Sequence, residues 1–136
     1  MEPRKLGEVL GADAGFDLTL PGETEETLLG PDVSFVRAEH VPPSDSTEFD
    51  RAWHVAPDLV VEIASPNQYH PEMAAKARRC LAAGVRLMWV IWPKQRQVEV
   101  WRPGTDQPVM TLGAADALDG LDVLPGFSYP LAALLG

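Results

Sequence analysis

Residues 85–92, VRLMWVIW, carry a single polar side chain, Arg86. A run this short, and apolar on both of its alternating faces, reads as a strand covered from both sides. The fold must therefore supply a layer above it and a layer below it. An amphipathic helix precedes it: Met73, Ala77, Cys80 and Leu81 recur at helical spacing, Pro71 suits the first turn, and Gly84 suits the position just past the end. Before the helix lies a second short apolar run, PDLVVEIASP at residues 57–66. As a strand it sets Leu59, Val61 and Ile63 on one face and Asp58, Val60, Glu62 and Ala64 on the other. Glu62 then stands in the middle of a hydrophobic strand, where an ionised carboxylate is costly unless something pairs with it.

The remaining pattern extends the sheet on either side. A strand is expected at about 16–20, and PDVSFVR forms another, with Asp32, Ser34 and Val36 on one face and Val33, Phe35 and Arg37 on the other. A long polar connection, AEHVPPSDSTEFDRAWHVAP, leads to the Glu62 strand. After residue 92, PKQR turns the chain into QVEVWR, which leaves Val98 and Val100 opposite Gln97, Glu99 and Trp101. The tail reads as short packing pieces ending in a helical turn. Three strands, one main helix and two further strands predict an α/β domain around a mixed sheet. At 136 residues the chain is expected to be a single domain, 1–136.

No apolar run approaches the ~20 residues that cross a bilayer, and the start predicts no signal peptide. One cysteine, Cys80, allows no internal disulfide framework, which favours the cytoplasm. The net charge of −9 argues against a generic nucleic-acid coat protein. The charge is uneven: residues 1–62 hold 14 acidic and 4 basic side chains, residues 63–136 hold 6 and 7. That split suits either a plain acidic domain with a neutral half or a carboxylate-rich edge beside a phosphate-binding surface.

Asp58 and Glu62 share a face but stand about 13 Å apart along the strand, too far to share one ion. A partner for Glu62 must come from a neighbouring strand, and Asp32 is the candidate. Two such carboxylates with a backbone carbonyl offer hard oxygen ligands for Mg²⁺ or Mn²⁺. The bland alternatives are turn roles for Asp32 and Asp58, since Asp after Pro commonly accepts nearby backbone N–H groups, and a half-solvated edge for Glu62. Lys76 falls on the margin of the apolar stripe. It can deliver its ammonium to the sheet edge or pair with Glu72 at i, i+4 spacing. His40, His54 and His70 share no metal-ligand spacing and read as loop residues. Ser65 with Pro66 reads as a turn, Trp89, Trp92 and Trp101 as core or interface, and Cys80 as buried and inert.

In order, PDVSFV, PDLVVEIASP, KARRCLAAGVRLMWVIWP, VEVW and LPGFSYPLAALL resemble the Uma-two family, small bacterial proteins of the restriction-endonuclease-like PD-(D/E)XK superfamily. The match runs from about Lys5 to the C-terminus. The resemblance implies a mixed-sheet nuclease core, a divalent metal, DNA as substrate and often a homodimer. It maps the metal-binding carboxylates onto Asp32 and Glu62. The superfamily's lysine two residues after the glutamate is here Ala64, and the resemblance implies its migration to the helix, as Lys76. Members also carry an upstream helix covering the sheet, and the expectation is that this chain begins after it. Arg78, Arg79 and Lys94 are the candidates for backbone phosphate contacts. The leading expectation is a metal-dependent endonuclease; the rival is a catalytically inactive nuclease fold serving dimerisation or partner binding.

Overall fold

The structure, a computed structural model, describes residues 7–11, 16–17, 28–29, 31–41 and 56–135. Its centre is a six-stranded sheet built from β1 (Gly7–Leu10), β4 (Val33–Arg37), β5 (Leu59–Ile63), β6 (Leu87–Trp92), β7 (Gln97–Trp101) and β8 (Met110–Leu112), in that spatial order. Only β5 and β6 run parallel; the other four pairings are antiparallel. A parallel pair cannot be joined by a tight turn, and α1 (His70–Ala82) makes the crossover.

Burial explains why β6 is apolar throughout: all six of its residues are buried. On one face Val60, Ala64, Met88, Val90, Trp92 and Trp101 pack with Met73, Ala77 and Cys80 of α1. On the other, Leu59, Val61, Leu87, Trp89, Ile91, Val98 and Val100 pack with Leu118, Val123 and Leu131. Those last three come from the C-terminal segment, where β9 (Ala117–Asp119) pairs with β10 (Ser128–Pro130) ahead of α2 (Leu131–Leu135). The sheet is thus the middle of three layers, as the run at 85–92 requires.

Two expectations are corrected. The strand expected at 16–20 does not join the main sheet. Its described part, β2 (Phe16–Asp17), pairs with β3 (Leu28–Leu29) in a separate ladder, and residues 18–20 lie outside the described residues. The edge strand is instead β1, where a Cβ on Gly7 would collide with the carbonyl oxygen of Val36. A glycine there permits the close approach. The sheet also gains β8 from residues 110–112, just ahead of the tail and in a stretch to which no element was assigned. Of the long connection, residues 38–40 form a 3₁₀ turn and residues 42–55, including His54, lie outside the described residues.

The helix ends as its sequence predicts. Glu72 Oε1 accepts the Tyr69 backbone N–H at 3.3 Å, and Gly84 takes φ +113° just past the C-terminus. A Cβ on Gly84 would meet only ordinary contact, at 3.4 Å from the Ala56 Cβ. The backbone therefore selects glycine, not the space around it. Gly84→Ala should cost about 1–3 kcal/mol in urea unfolding without altering the native circular dichroism spectrum.

Candidate functional site

Strand β5 brings two buried carboxylates to the helix-facing side of the sheet and treats them differently. Glu62, near its end, is 5% exposed, and α1 lies over it. Lys76 Nζ donates to Glu62 Oε1 at 2.7 Å, its stem running along the margin of the helix's buried stripe. Glu72 is occupied at the helix N-terminus, so the i, i+4 alternative for Lys76 does not form. The other oxygen, Glu62 Oε2, is buried and accepts no hydrogen bond.

Asp32 approaches from the neighbouring strand. The register that pairs Val33 with Val61 carries Asp32 to the position opposite Glu62. Asp32 Oδ2 accepts the Ile63 backbone N–H at 2.8 Å, a bond that ties the entry of β4 to the end of β5. The turn role expected for Asp32 is thus an inter-strand one. Glu62 and Lys76 pair at the carboxyl ends of the two parallel strands, with Asp32 opposite Glu62 on the adjacent strand, at the edge where open α/β sheets characteristically bind ligands.

Asp58, at the start of β5, is 2% exposed and fully engaged. Its Oδ2 accepts the Arg37 backbone N–H at 2.7 Å, and His40 Nδ1 lies 2.9 Å from Oδ1. Its partners lie 21 and 18 residues earlier, at the end of β4 and in the 3₁₀ turn, so Asp58 is a long-range clasp and not the local turn residue its Pro-Asp context suggested. Pro-Asp before a strand gives no signal of this in sequence.

The phosphate-contact candidates are dispersed. Lys94 is exposed at the carboxyl end of β6, on the same edge as Glu62. Arg78 Nε donates to the Asp106 carbonyl at 2.9 Å, which holds it toward the β7–β8 connection. Arg79 is half-buried on α1. Cys80 sits beside the Glu62–Lys76 pair, but burial pushes its thiol up to about 12, so it remains a neutral packing group at physiological pH.

A second feature was missed from sequence. His70, the first residue of α1, stacks on Trp92 with ring centroids 3.8 Å apart and planes 15° from parallel. Its Nδ1 lies 3.4 Å from Glu99 Oε2, while Glu99 Oε1 accepts the Trp101 indole N–H at 3.1 Å. Glu99 and Glu62 both flank Val90 in one cross-strand row. The residues involved are 22 and 29 positions from His70, so sequence spacing could not reveal them.

The donor set fits a hard divalent cation. Among the described residues no group of three or more His, Cys, Asp or Glu gathers as a complete protein-only cage. Mg²⁺ typically keeps several waters and uses one or two carboxylates. Asp32 and Glu62 would supply two, and the buried Glu62 Oε2 accepts no hydrogen bond from the described residues.

A family model described as "Putative restriction endonuclease" matches residues 1–133. A crystal structure from Anabaena variabilis, described as "a putative nuclease belonging to DUF820", is similar at a TM-score of 0.75 and 20% identity, over 98% of this chain and 70% of that one. At that identity the likeness establishes the fold: a nuclease-like mixed sheet with one main helix after the Glu62 strand. No protein of curated function matches the chain. Among the described residues no helix is long and apolar enough to cross a membrane.

The half-satisfied pair has a consequence for stability. Removing one partner of a buried ion pair strands the other, whereas replacing both with apolar groups is often neutral or better. Lys76 is 35% exposed at its side chain, which moderates the loss. Lys76→Met should destabilise by about 2–4 kcal/mol, and Glu62→Leu with Lys76→Met should restore parental stability or exceed it. Urea unfolding of the three proteins checks the order.

Proposed function

The chain belongs to the Uma2 family, and from that premise we propose that it is a divalent-metal-dependent endonuclease hydrolysing DNA phosphodiester bonds. The observation carrying this reading is the environment of Glu62: a buried carboxylate with one oxygen bound to Lys76 and the other unpartnered, opposite Asp32 in the sheet. Asp32 and Glu62 would hold the ion, Mg²⁺ or Mn²⁺. When bound, such an ion acidifies water and polarises phosphate oxygens.

The chain's own residues then have separable tasks. Asp32 is fixed by the Ile63 N–H, so it offers its oxygens from a set position. Glu62 orients Lys76 through the 2.7 Å bond, and Lys76 in turn brings its ammonium to Glu62 within the apolar layer. The remaining N–H donors of Lys76 stabilise the charge that develops on the phosphate as hydroxide adds to phosphorus and the opposite P–O bond breaks. Water protonates the departing oxygen. Lys94, exposed on the strand-end edge, would contact backbone phosphate; Arg78, held to the Asp106 carbonyl, and the half-buried Arg79 would contribute less.

A second reading, a non-catalytic module that dimerises or binds a partner, draws on the opposite face. There Val9 is 71% exposed, Ile63 49% and Val33 38%, on one side of the β1–β4–β5 edge. Homodimerisation through this face is compatible with either reading.

Nicking of supercoiled plasmid with Mn²⁺ or Mg²⁺ tests the proposal. Glu62→Ala, Asp32→Ala and Lys76→Met should each lose about 100-fold or more in rate, and a chelator should abolish activity. Equal activity in the parent and Glu62→Ala removes Glu62 from the mechanism. Absence of any heat on Mn²⁺ titration, with strong self-association in sedimentation, would carry the second reading instead.

A further inference from the structure

Among the described residues, two buried side-chain oxygens make no hydrogen bond, Glu62 Oε2 and Ser34 Oγ. We propose that they serve one site, with Ser34 a positioning residue whose hydroxyl holds a water carried by the cation that Asp32 and Glu62 take. The nature of that occupant rests on the metal-dependent reading above.

Strand register brings the two oxygens to one neighbourhood. Ser34 stands opposite Val60, and Val33 opposite Val61, so Asp32 and Glu62 form the next row on the same face. Val60 packs with Met73, Ala77 and Cys80, which puts Ser34 on the helix side as well. Ser34 and Glu62 are then diagonal neighbours, about 7–8 Å apart and within reach of a long side chain.

The glutamate extends in that direction. Because β5 and β6 run parallel, α1 crosses back from the carboxyl end of β5 toward its amino end. Cys80 therefore lies one helical turn beyond Lys76 on the way to the Val60 row. Burial sets the raised value of the Cys80 thiol, and the charges of Lys76 and Glu62 also act on it. With Oε1 held by Lys76, the carboxylate leans back over β5 toward Cys80 and the row that Ser34 shares with Val60.

The chemistry of the two groups fits a hydrated ion. Ser34 is 0% exposed, and a hydroxyl buried without a partner destabilises the fold where an apolar residue would not. Val36, two residues on along the same face, is such an apolar residue. Waters on a divalent cation present their hydrogens outward, and a hydroxyl oxygen with two lone pairs accepts them. Glu62 Oε2, which can only accept, suits the cation itself. Groups that hold a metal's surroundings in this way typically change its affinity about 10- to 100-fold.

Calorimetric titration of the full chain with Mn²⁺, in the absence of DNA, reads this site apart from cleavage. Ser34→Ala should weaken Mn²⁺ binding about tenfold. Ser34→Thr keeps the hydroxyl on a strand that takes β-branched residues well, and should bind within about threefold of the parent. The metal-free protein should respond in the opposite sense: without the unpartnered hydroxyl, Ser34→Ala should raise the urea midpoint by about 0.5 M. Equal Mn²⁺ affinity in the parent and Ser34→Ala, or a lowered midpoint in metal-free Ser34→Ala, overturns the proposal and leaves the role of Glu62 standing. Absence of Mn²⁺ binding by the parent overturns it together with the metal-dependent reading.

Discussion

The Glu62–Lys76 pair is the constraint around which the helix side of the sheet is organised. An ionised carboxylate placed between Val60 and Ala64 on a strand facing α1 would be prohibitively unstable without a counter-charge. Among the described residues α1 is the helix that covers that face, and the counter-charge reaches in from its margin. Lys76 does this while its charged end stays partly in water, 35% exposed against 7% for the glutamate. This arrangement fixes which helical face meets the sheet: Met73, Ala77 and Cys80 inward, Lys76 at the boundary. A helix rotated by one residue would bury the ammonium or strand the carboxylate.

Asp58 shows what a purely structural carboxylate looks like on the same strand face. Its oxygens receive a backbone N–H from Arg37 and the His40 ring nitrogen, and its backbone carbonyl accepts the N–H groups of Arg86 and Leu87. Every group is used, and the start of β5 is locked to β4 and β6. Glu62, four residues on, is equally buried but leaves Oε2 without a donor. A buried half-satisfied carboxylate costs more than an apolar residue would. Its presence at the carboxyl end of a parallel strand pair, beside a cavity, favours a site tuned for a ligand over one tuned for stability.

Much of this was legible in the sequence because it is periodic. The alternation of β5 placed Glu62 on one face with Val60 and Ala64, the 3.6-residue stripe of α1 placed Lys76 on its margin, and the uniform apolarity of residues 85–92 called for burial on both faces. What sequence did not carry is contact between elements. The four-residue β1 reads as nothing, since its edge position depends on Gly7 fitting under the Val36 carbonyl. Asp58 looked local because Pro-Asp is an ordinary turn signature, whereas its partners are 18 and 21 residues away. The His70–Trp92–Glu99 arrangement exists only because the crossover returns the helix N-terminus to the strand ends. No spacing rule spans the three residues.

The acidity of the chain bears on the proposed activity less than its net charge of −9 suggests. At physiological salt, exposed charges are screened beyond about 8 Å, so the acidic first half acts on a bound phosphate only where it is close. Nearby, Asp32 and Glu62 against Lys76 leave one net negative charge, and a phosphodiester brings another. Two such charges about 4 Å apart repel by roughly 4 kcal/mol at an effective dielectric of 20, so the protein's own groups, taken alone, oppose the substrate. A divalent cation, were it held by the two carboxylates as proposed, would reverse the local sign. On the proposed reading, then, the ion acts on affinity as well as chemistry: without it the same three side chains that would cleave the phosphate keep it out.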